Sequence, residues 1–122
     1  MTNDDEVVEV YLREVANVQP LGLAEEAALF QQVRADNSED AKRRLIESQL
    51  SMVVEIAKKN VGAAGLTLLD LIQEGNCGLM KAVDTFAEHG GDNFSEHARE
   101  WVERYIRRAI DDLQRMSRSS LR

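Results

Sequence analysis

Cys77, His89 and His97 are the residues of this 122-residue chain best suited to act as nucleophile, base or metal ligand, and their spacing argues against each role. A metal site needs clustered donors, and a single cysteine with two isolated histidines forms no cluster. Neither histidine stands near a serine or cysteine in a way that suggests a nucleophile–base pair. The 22 acidic residues are dispersed along helical patterns and read as solvated faces. No glycine-rich segment follows a strand, so no phosphate loop of that kind is expected. Cys77 falls between Gly75 and Gly78 in a helical run and reads as a small packed side chain. The expectation is a macromolecule-binding protein, not an enzyme, with no metal and no cofactor.

Charge points to the kind of partner. The formal net charge is −7, but it follows a gradient along the chain. Residues 1–40 carry a net −8, residues 41–98 a net −2 and residues 99–122 a net +3. A basic C-terminal helix facing a polyanion or an acidic partner would fit this asymmetry. A solvated face with local ion pairs would fit it equally well, because +3 is weak for a nucleic-acid reader.

Helices must position these groups. Apolar residues make up 43% of the chain, and one proline with seven glycines leaves little material for turns. No apolar run approaches the ~20 residues of a membrane span. The acidic N-terminus lacks the order of a secretion signal, so a cytoplasmic protein without membrane association is expected. Apolar periodicity predicts five helices. The first covers about 4–16. The second covers about 23–35, with Leu23, Ala27, Leu29, Phe30 and Val33 inward. The third covers about 39–60, capped by Ser38. The fourth runs from Thr67 to Phe86, with Thr67 and Asp70 close to a capping box. The fifth runs to about 116, capped by Ser95, with a polar tail from Ser117 that frays. Its apolar stripe passes through Ala98, Trp101, Val102, Tyr105, Ile106 and Ile110. Gly75 and Gly78 sit inside the fourth helix, where each costs about 1 kcal/mol relative to alanine. Their presence requires a close helix neighbour or a bend. The fold expected is all-α, a compact bundle of about five helices.

One segment is more specific than any periodicity. Leu69-Asp70-Leu71-Ile72-Gln73-Glu74-Gly75-Asn76-Cys77-Gly78-Leu79-Met80-Lys81-Ala82-Val83 strongly resembles region 2.2 of the sigma-70 family of bacterial RNA polymerase sigma factors, departing from it only at the variable position held by Cys77. Val10 to Val15 resembles the start of region 1.2. Ala41 to Glu47 and Met52 to Lys59 resemble region 2.1, and Phe94 to Arg118 follows regions 2.3 and 2.4. The resemblance implies a single domain, 1–36 being like region 1.2 and 37–122 like region 2. The sequence stops where a sigma factor would continue into regions 3 and 4.

The resemblance also implies partners and site residues. In the family the region 2.2 helix docks on the coiled coil of the polymerase β′ clamp. Asp70, Gln73, Glu74, Asn76 and Met80 match the clamp-contacting positions. Their types suit the task, since carboxylates and amides pair with arginines and Met80 offers a soft apolar contact. Regions 2.3 and 2.4 capture flipped bases of single-stranded promoter DNA at the minus-ten element. The positions that follow them here are Phe94, His97, Arg99, Trp101, Arg104, Arg107, Arg108 and Arg115. This part is altered from the family's pattern. His97 replaces the stacking tyrosine, and Glu100 replaces the first tryptophan of the pair. Glu96 and Glu103 stand where the family has threonine and arginine, and Arg104 where it has glutamine. The basic loop is reduced to His89 to Asn93. Three carboxylates on that face would repel phosphate, while Trp101 could serve either the core or a base platform.

Three functions follow as expectations. The chain could be a sigma-like factor that binds core polymerase for transcription initiation, with residual minus-ten DNA binding. It could be a sigma-like regulator or decoy that docks on polymerase, or on an anti-sigma-type regulator, without melting promoters. It could be a dimeric helical module with neither activity.

Overall fold

A computed structural model describes residues 4–120, and every regular element in them is helical. In chain order these are α1 (Asp4–Ala16), α2 (Leu23–Asp36), α3 (Glu39–Glu47), α4 (Leu50–Lys59), a 3-10 turn at Ala63–Gly65, α5 (Leu68–His89) and α6 (Phe94–Ser120). The chain is all-α, as expected, but the long third helix is two. Ser48 Oγ turns back to donate to Leu45 O at 2.6 Å, and Gln49 leaves the helical region with φ −113° and ψ 3°. The break has a packing reason. α3 buries Ala41 and Leu45, whereas α4 buries Val53, Val54, Ile56 and Ala57. At 3.6 residues per turn these two faces would lie roughly 120° apart on one straight helix. The joint at 48–49 turns both toward one core.

Other boundaries follow from capping chemistry. Ser38 accepts the Ala41 N–H, and Thr67 with Asp70 forms a reciprocal capping box on α5. α6 begins two residues earlier than expected, because the cap is Asn93, whose Oδ1 accepts the Glu96 N–H at 3.1 Å. Ser95 is not the cap. Its hydroxyl accepts from Gln49 Nε2 at 3.1 Å instead. α6 also runs through Ser117 to Ser120, where a frayed tail was expected; Leu121 and Arg122 of that tail lie outside the described residues. On α2, Phe30 and Val33 are buried, but Ala27 is exposed and Leu23 is 85% exposed at the helix start, correcting their inward assignment.

The core centres on the seam between α5 and α6, which lie antiparallel across a short turn. Gly75 and Gly78 make that seam possible. A Cβ on Gly78 would lie 2.6 Å from the Trp101 carbonyl oxygen, and one on Gly75 would lie 2.7 Å from Val53 Cγ1. Close helix approach is thus the reason for both glycines. Around the seam, Leu71, Leu79, Val83, Val102 and Ile106 are buried, and Phe30, Phe86 and Phe94 meet edge-on or tilted at 4.9–5.4 Å. Arg34 ties α2 to the end of α5 through Nε and Ala87 O at 2.9 Å. Among the described residues no charged side chain is buried, and no helix is long and apolar enough to cross a membrane.

Candidate macromolecule-docking surface

α5 turns one flank to the core and the other to solvent. Leu71, Ile72, Gly75, Gly78, Leu79, Ala82 and Val83 face inward. Asp70, Gln73, Cys77, Met80, Lys81 and Asp84 form an exposed ridge on the opposite side, with Met80 56% exposed. Glu74 and Asn76 lie at the two margins of this ridge and are only partly accessible. Cys77 is therefore not packed, as its neighbours suggested. It stands one residue before Gly78, and a step of about 100° carries it out of the seam.

The ridge residues have distinct local duties. Asp70 accepts the Thr67 N–H through Oδ2 at 3.0 Å, and this bond, with that from Thr67's side chain, holds its carboxyl below the usual carboxylate range. Its charge also sits at the positive end of the α5 dipole. Asn76 donates from Nδ2 to Tyr11 Oη on α1 at 3.3 Å. Met80 borders a groove of about 440 Å³ between α3 and α5, lined also by Ile46, Val83, Arg43 and Glu47. Lys42 spans that groove's edge, with Nζ 3.3 Å from Asp84 and 3.9 Å from Glu39. Sequence reasoning missed the Tyr11–Asn76 and Lys42–Asp84 pairs, which join positions remote in the chain.

The α6 residues divide differently. Phe94 is 1% exposed in the aromatic core and leaves no face open to a base. His97 is partly buried, with Nε2 2.7 Å from Thr85 Oγ1 and its ring against Phe86 and Trp101. Burial lowers its pKa, against the opposing pull of Glu100. Trp101 is half-buried, and the Arg104 guanidinium lies over it at 4.6 Å. Arg108 lies over Tyr105 in the same way at 4.7 Å. Arg99 pairs with Glu103 at 3.9 Å, and Arg115 pairs with Asp112. Arg104, Arg107, Arg108 and Arg115 share one shallow groove with Glu100, Glu103 and Asp111. The cationic positions are thus interleaved with carboxylates and do not form a continuous basic strip.

The comparison with known proteins decides what this bundle is. The family described as Sigma-70 region 2 matches residues 45–116. The chain belongs to this family. Sigma factors, the proteins that carry this region, are transcription initiation factors and not enzymes. Among curated relatives, RNA polymerase sigma factor SigA of Listeria monocytogenes is 48% identical over 111 residues, covering 91% of this chain and 29% of that protein. The SigA of Lactococcus lactis subsp. cremoris is 44% identical over 116 residues, covering 93% of this chain and 32% of that protein. This sigma region 2 chain therefore spans under a third of the length of the relatives it matches.

Proposed function

We propose that the chain docks on core RNA polymerase through the exposed ridge of α5, against the coiled coil of the β′ clamp, and takes part in transcription initiation in the cytoplasm. One observation carries this reading. The family's signature segment folds so that Gln73 and Met80 stand open to solvent beside the Asp70 carboxylate, while Gly75, Gly78 and Leu79 between them face the seam. A hydrophilic edge with one flexible apolar side chain suits a helical hairpin that offers arginines around an apolar seam. The test is binding of the purified chain to core polymerase. Gln73→Ala and Met80→Ala should each weaken binding about 5- to 30-fold, as a loss of about 1–2 kcal/mol at an interface implies. Unchanged affinity in both variants refutes the proposal.

A second reading is supported by α6. His97 is drawn inward to Thr85, Arg104 covers Trp101, and Glu96, Glu100 and Glu103 are exposed where single-stranded DNA would approach. These features favour a regulator that occupies polymerase without capturing the minus-ten strand. A labelled minus-ten oligonucleotide, tested with and without polymerase, separates the two. Binding that weakens on Trp101→Ala and with rising salt would restore promoter capture.

A further inference from the structure

Polymerase docking through α5 makes no use of the charge gradient along the chain. Residues 1–40 carry a net −8 and residues 99–122 a net +3. The ion pairs of Lys42, Arg43, Lys59, Arg99 and Arg115 are each made within one helix or between α3 and α5. None of these joins α1 to α6.

The apolar stripe of α6 runs out of the core. α6 packs on α5, α4 and the 3-10 turn. Ile106 is 2% exposed, Ile110 and Leu113 are partly exposed, and Met116 is 66% exposed. At about 100° per residue these four lie within about 120° of arc, so one face passes from the interior into solvent. It begins at a groove of about 440 Å³ between α4 and α6, lined by Ile56, Ile106 and Ile110 and rimmed by Lys59, Arg99 and Arg107. Arg118 lies about three turns beyond Arg107 and within about 20° of it around the helix. These two exposed cations therefore flank the face along its length.

α1 carries the complementary pattern. Val7 and Val10 are 46% and 49% exposed. Glu14 lies one turn beyond Val10 on the same side, and Glu9 precedes it; both carboxylates are exposed. α1 is held in its own place by the buried Val15, the Tyr11–Asn76 bond and its packing on α4. The match must then be made between two chains.

We infer that two copies of the chain pair reciprocally, α1 of each laying Val7 and Val10 on the α6 face around Leu113 and Met116 of the other, with its carboxylates beside Arg107 and Arg118. Reciprocal exchange of the same two surfaces closes at two chains. No residue of the α5 ridge takes part, so the inference stands apart from polymerase docking.

Sedimentation equilibrium of the full chain, over a dilution series reaching about 1 mM, tests it. The mass should rise from one chain to two and go no further, and added salt should weaken the dimer. Two charge-reversed chains are decisive, one with Glu9→Arg and Glu14→Arg, the other with Arg107→Glu and Arg118→Glu. All four positions are exposed, and circular dichroism checks that the helices are kept. Alone, each reversed chain should dimerise at least about 10-fold more weakly, because like charges then meet. An equimolar mixture of the two should recover the wild-type affinity, since each interface of the mixed pair again joins opposite charges. Met116→Ser should weaken the wild-type dimer by about 3- to 10-fold through lost apolar burial. Masses that climb beyond two chains, a loss confined to one reversed chain, or a mixture that stays apart overturn the inference. A chain that stays single at about 1 mM also overturns it, and leaves the α6 face to an acidic helix of another protein.

Discussion

Replacing Gly78 with alanine sets two known effects against each other, and the structure decides the sign. In a helix interior, alanine is favoured over glycine by about 0.8–1.0 kcal/mol. At position 78, however, the new Cβ would lie 2.6 Å from the Trp101 carbonyl oxygen and 3.1 Å from Tyr105 Cβ. Neither atom can swing away, because one is backbone and the other is attached directly to it. Relief requires separating α5 from α6 along their whole contact. Overpacking costs about 1–3 kcal/mol, and a backbone obstacle places this case at the upper end. After the helix preference is subtracted, a net loss of about 1–2 kcal/mol remains. In a chain of this size each kcal/mol moves Tm by about 3–5 °C, so Gly78→Ala should lower Tm by about 3–10 °C. Far-UV circular dichroism melts in one buffer measure it. Gly75→Ala is the internal comparison. Its Cβ would meet Val53 Cγ1 at 2.7 Å, a side-chain methyl that can rotate, so its loss should be smaller. A Tm that rises in Gly78→Ala would show helix preference winning and would refute the close approach of the two backbones.

The remaining predictions concern the cap, a titrating ring and the exposed thiol. Thr67→Ala removes the acceptor for the Asp70 N–H and should cost about 1 kcal/mol in urea unfolding; an unchanged midpoint would mean the box contributes nothing. His97 has a native pKa below the ordinary value of 6.5, so the folded state favours the neutral ring. Its stabilising effect is full above pH 6.5 and is lost as pH falls through the lowered native value. Melts from pH 7.5 to 5 should show a decline that His97→Gln reduces, and NMR titration of the ring at or above the ordinary value would contradict this. A bulky maleimide should label Cys77 in the native chain and abolish polymerase binding; a labelled chain that binds normally would place docking elsewhere.

Features governed by neighbours in sequence were legible, and those governed by distant packing were not. Ser38 and Thr67 announced their helices because an N-cap is a bond across three residues. The need for close approach at Gly75 and Gly78 was readable from the cost of glycine in a helix, although its partners, Val53 and Trp101, were not. The joint at Ser48–Gln49 was hidden because each half of the segment is a good helix. Only the rotation between Ala41–Leu45 and Val53–Ala57 demands a break. The motif identified the candidate surface, but the ring of groups around α5 separated its members. Gln73 and Met80 are open, whereas Asn76 meets Tyr11, 65 positions away in sequence. The resemblance grouped two aromatics of α6 that have different fates, burial for Phe94 and partial exposure beneath a guanidinium for Trp101.

The glycine seam has a mechanical consequence. With Trp101's main chain resting directly on Gly78, no cushion of side chains separates α5 from α6 there, and sliding one past the other would force atoms into overlap. The pair should tilt and travel as one stiff beam. A load placed on Gln73 and Met80 would then be borne at the turn that carries Trp101, with no hinge required between them.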